Sequence, residues 1–129
     1  MKHKIMFIRF VYWFGAIADL LLFLDMLLIV FFGVSVSLPV GTGHAYQYIL
    51  PGYAALMLGW TLVLLWAQVK PIERKGILLI ISIFIAVGNL LDISNILYIN
   101  QLISIFTMTI FFIAYFMANG IKKKRETEE

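Results

Sequence analysis

The chain contains no cysteine, which excludes disulfides, thiol catalysis and cysteine-bound metals. Charge is scarce too: 13% of the 129 residues carry one, against about a quarter in ordinary soluble domains. The three prolines, Pro39, Pro51 and Pro71, fall near expected chain turns. No Ser/His/Asp set, HExxH, glycine-rich phosphate loop or pair of haem ligands across a membrane is present. These absences exclude a disordered chain, a coiled coil, a soluble enzyme and a nucleic-acid-binding domain. They also predict no catalytic residue, no cofactor and no metal site. What the chain does have is apolar: 63% of residues, with a mean hydropathy of +0.99.

A hydrocarbon core of about 30 Å requires about 20 apolar residues in a helix. Four stretches meet that length: about Phe10 to Val34, Leu50 to Val69, Ile77 to Leu97 and Leu102 to Ile121. Backbone groups in lipid must pair within their own segment, so each stretch predicts a helix. The fold expected is all-α: a single domain over residues 1–129, built of four antiparallel transmembrane helices, with a charged tail at 122–129. Small residues Ser35-Val36-Ser37 follow the first stretch like a cleavage site. Its apolar core is too long for a signal peptide, so the segment is expected to be retained.

All 10 Lys and Arg lie in the amino-terminal segment, the second connection or the tail. The positive-inside rule then places both termini and the second connection in the cytoplasm, with the lipid bilayer as the main partner. The net charge of +3 is an effect of topology and implies no nucleic acid. The tail's Lys122 to Arg125 are suited to touch anionic headgroups, offset by Glu126, Glu128 and Glu129. Tyr12, Trp13 and Trp66 occupy the ends of spans, where interfacial aromatics belong. His44 is expected in the first connection as a solvated residue, and Pro51 in the first turn of the second helix. The stretch Gln68 to Gly76 reads as a solvated turn, and about Tyr98 to Gln101 as a tight one.

Helical spacing sorts each span into faces. On the first, Gly15, Ala18, Asp19, Leu22, Asp25, Met26, Ile29 and Gly33 share one side, opposite Trp13, Ile17, Leu20, Leu24, Leu27 and Phe31. Small and polar residues suit helix packing and bulky apolar ones suit lipid, so the first set is expected to point inward. Ser82, Ala86, Asn89 and Asp92 form the inner side of the third span. Gly52, Ala55 and Gly59 form a close-packing stripe on the second; Ser104, Thr107, Phe111, Ala114 and Ala118 line the fourth.

Asp19, Asp25 and Asp92 are costly in a bilayer, about 2.5–3.5 kcal/mol each on an insertion scale. No Lys, Arg or His lies within the four spans to pair with them. Each acid is therefore expected to be either protonated or ionised against a cation from outside. Asp25 and Asp92 each lie about 15 residues, about 23 Å, from the cytoplasmic start of their helices. Neighbouring helices would bring them together beside Asn89, with Asp19 as a second station.

The stretch Gly59-Trp60-Thr61, Trp66 and Pro71-Ile72-Glu73-Arg74 to Gly76 resembles a group of small four-helix prokaryotic membrane proteins with no known activity. This likeness implies the fold and adds no function. In size and span number the chain also resembles the small multidrug resistance exporters, which carry an acid in their first helix. Their motif residues are missing here, and the one-sided placement of basic residues argues against their dual insertion. The function expected is non-enzymatic: binding or transport of a proton, a small cation, or a cationic or protonatable solute in a prokaryotic plasma membrane. A transporting form would be a homo-oligomer. The alternatives are a partner subunit or assembly factor for another membrane protein, and a lipid-modifying enzyme.

Overall fold

The computed structural model describes residues 2–36, 44–91 and 99–128. Regular structure among them is entirely helical: α1 (Lys2–Phe32), α2 (His44–Ala67), α3 (Gly76–Leu91) and α4 (Ile99–Glu128). Three of these are long and apolar enough to cross a membrane; the described part of α3 is apolar but has 16 residues. The last turns of the expected third span fall in 92–98, outside the described residues.

Helix ends depart from the sequence reading in four places. α1 begins at Lys2, well before Phe10, because Lys, Met and Arg are good helix formers wherever water can reach them. It stops at Gly33, whose φ of 68° is left-handed and whose N–H donates to the Ile29 carbonyl at 3.0 Å, the single-bond left-handed cap. α2 starts at His44, so His44 is helical, and Pro51 sits inside the helix instead of in its first turn. Proline has no N–H, so the Gln47 carbonyl lacks its helical donor; membrane helices tolerate this where neighbouring groups supply one. α4 takes in Ile99 to Gln101, expected as a turn, and continues through the basic tail to Glu128. A Lys122–Glu126 pair at 3.6 Å supports that last stretch at i,i+4 spacing.

The chain divides into two compact units, one of Met1–Trp13 with Trp66–Glu129 and one of Phe14–Leu65. In the first, α3 packs on α4, with Leu78, Ser82, Phe111, Ala114 and Ala118 buried together with Ile8, Val11 and Tyr12. In the second, Ala16, Asp25, Ile29, Leu50, Ala54, Thr61 and Leu64 are buried. On α1, α3 and α4 the less exposed faces are those expected from spacing, while Ile17, Leu24, Phe31, Ile80, Phe84 and Phe116 are exposed; the exceptions are Gly33, exposed past the end of α1, and Leu27, which is half-buried.

α2 is the exception. Gly52, Ala55 and Gly59 are exposed, and a Cβ added at either glycine would meet nothing within 4 Å. The buried side is instead Leu50, Ala54, Thr61 and Leu64. The branched and alanine side chains bury apolar area that glycine does not have, so they take the inner face. Four Ser and Thr hydroxyls in the helices are satisfied locally. Thr61, Ser82, Thr107 and Thr109 each donate to the carbonyl four residues back, at 2.7–2.9 Å.

Candidate functional site

Asp25 is 5% exposed. Its Oδ1 accepts a hydrogen bond from the Val36 N–H at 2.7 Å, and its Oδ2 accepts one from the Ser35 hydroxyl at 2.9 Å. Helix rise from Asp25 to Phe32 is about 10 Å, and the residues from Gly33 to Val36 can stretch about as far. The left-handed turn at Gly33 sends the chain back along α1, and the carboxylate clasps it there. Neutral donors thus solvate this acid as water would. A hydrogen bond to a charged group contributes about 1.5–3 kcal/mol, comparable with the cost of placing the acid in the span. Sequence marked Ser35 only as part of the small-residue run after the first span; a hydroxyl just beyond a helix-ending glycine is the signal that points to its bond with Asp25.

Asp19 lies near the middle of α1 and is half-buried. No hydrogen bond or ion pair joins it to another described residue. The nearest base along its own helix is Arg9, ten positions away, or about 15 Å along the axis. On α3, the buried Nδ2 of Asn89 has no hydrogen-bond partner among the described residues. Ser82, on the same side, spends its hydroxyl on the Leu78 carbonyl. Asp92 lies outside the described residues, and so does any meeting of Asp25, Asp92 and Asn89 that depends on it. Among the described residues no three His, Asp or Glu side chains gather as a metal cage.

The turn between α2 and α3 is more structured than a solvated loop. The Arg74 guanidinium lies over the Trp66 ring, 3.5 Å from its centroid, and donates to the Trp66 carbonyl. The Arg74 carbonyl accepts a hydrogen bond from the Tyr12 hydroxyl at 3.0 Å. Tyr12 is 0% exposed, so it is an internal anchor. Lys75 donates to Asn119 Oδ1 on α4, with Nζ 5.9 Å from the centre of the Tyr115 ring. Spacing could not reveal these partners, which lie 62 and 44 positions apart.

The expected acids therefore divide into one that holds the chain, one without a described partner and one outside the described residues. No family model, curated protein or solved structure matches this chain, so the likeness around Gly59 to Gly76 supplies no family and the site is read from its own chemistry.

Proposed function

We propose that this is a multi-pass protein of a prokaryotic plasma membrane that binds, and as an oligomer moves, a proton, a small cation or a cationic or protonatable solute. The observation that supports it is Asp19, a half-buried carboxylate midway along a membrane-length apolar helix with no described hydrogen-bond or ionic partner. An acid in that position costs about 2.5–3.5 kcal/mol, and a bound proton or cation removes the charge that makes it costly. Ionisable groups at such depths commonly mark ion or substrate routes. Asp19 is thus the primary charged station. Asp25 is a second, already solvated one; Asn89 offers an amide donor, and Asp92 joins by its position in the sequence alone.

The test is a titration of purified protein in micelles with protons, alkali cations and organic cations, followed by tryptophan fluorescence and proton release. A saturable response is expected, lost in Asp19→Asn and weakened in Asp25→Asn. An identical response in wild type and both variants sinks the reading.

The outward-facing Gly52, Ala55 and Gly59 favour a second reading, in which α2 packs against a helix of another membrane protein. Gly59→Leu separates the two. It leaves the cation response intact but abolishes association if α2 is the contact.

A further inference from the structure

We propose that the cleft formed by the first turns of α1, the α2–α3 turn and the end of α4 binds the phosphate of an anionic phospholipid headgroup. The cleft has a volume of about 390 Å³, and its lining includes Ile5, Arg9, Lys70, Ile72, Glu73 and Lys122. Three cations from three separate segments face one carboxylate, an excess of positive charge assembled by the fold. Two of the cations are only weakly engaged. Lys70 pairs with Glu73 at 3.2 Å and Lys122 with Glu126 at 3.6 Å, and all four side chains are more than half exposed. Exposed pairs of this kind exchange partners at little cost. Arg9 makes no ion pair among the described residues, and a guanidinium can hold two phosphate oxygens at once.

Lipid, and not a soluble anion, is the source that the surroundings fit. Ile5 and Ile72 give the cleft an apolar wall for the glycerol and upper acyl carbons. Met6 and Phe10, on either side of Arg9 in α1, are 66% and 60% exposed on a helix apolar enough to cross a membrane. A second cleft of about 460 Å³ combines the same ingredients, Lys4 and Lys124 with Phe116, Met117 and Ile121. Basic pockets between membrane helices are a recurrent form of anionic headgroup recognition.

The experiment uses the whole chain in micelles, exchanged against mixed phosphatidylglycerol and phosphatidylcholine, with retained lipid read by native mass spectrometry. Phosphatidylglycerol is expected to be retained in preference. Removing Arg9 and Lys122 together as glutamines should weaken retention about fivefold per charge. Glu73→Gln, an exposed change that deletes the opposing carboxylate, should strengthen it. Equal retention of the two lipids, or retention unchanged in the double variant, overturns the site. Displacement of the lipid by excess inorganic phosphate overturns its assignment to a membrane source. If the double variant fails to fold, Glu73→Gln decides: stronger retention supports the site and unchanged retention overturns it.

Discussion

Asp25 shows how a side chain that looks anomalous in a sequence is explained by three residues beyond its helix. Its worth depends on Ser35 and Val36 arriving at its oxygens, and they arrive because Gly33 turns the chain left-handed. Ser35→Ala removes one donor and is expected to lower stability by about 1–2 kcal/mol, measured as the shift in unfolding midpoint in mixed micelles. Gly33→Ala has room for its methyl group but must hold φ near +68°. It is expected to cost about 1–2 kcal/mol on the same measurement. That Asp19 and Asp25 both belong to the inner side of α1 was legible from 3.6-residue spacing. Which of them has donors was not, since a carboxylate's partners depend on where the backbone turns after the helix ends.

Among the elements, the inner faces of α1, α3 and α4 could be read from sequence because large apolar residues and small or polar ones segregate cleanly around each. α2 could not. Gly52, Ala55 and Gly59 suit close packing, but they suit it equally against another chain, and alanine and leucine compete for the interior. Helix boundaries were misread for a related reason: apolar content marks the part a membrane can hold, while good helix formers carry α1 and α4 on into charged sequence. The α2–α3 turn is the most informative element to perturb. Tyr12→Phe removes one of the two donors to the Arg74 carbonyl, leaving the Ile77 N–H at 3.1 Å, and is expected to cost about 0.5–1.5 kcal/mol. Arg74→Lys keeps the charge but loses the flat guanidinium over Trp66. A shift in tryptophan emission with little change in helix content is the expected outcome; an unmoved spectrum contradicts the stacking.

At the scale of the molecule, the missing cysteine becomes an asset, because single cysteines can be introduced without a background. The proposed topology, four crossings with both ends inside, predicts that probes at Glu73 and Thr127 react with a membrane-impermeant maleimide from one side and a probe at Val36 from the other. Reaction of all three from one side refutes that topology. Composition made the apolar, membrane-length helices legible, because lipid penalises every unpaired backbone group and every charge. It left the grouping of those charges open, and α4 shows why. Its 30 residues extend about 45 Å, against about 30 Å of hydrocarbon, so the basic run stands on a stiff mast and not on a loose string. Each step around a helix turns by about 100°, which aims adjacent lysines in different directions: Lys122 borders one cleft and Lys124 the other. No single surface therefore feels the full charge of that run, and an approaching anion meets its lysines one at a time.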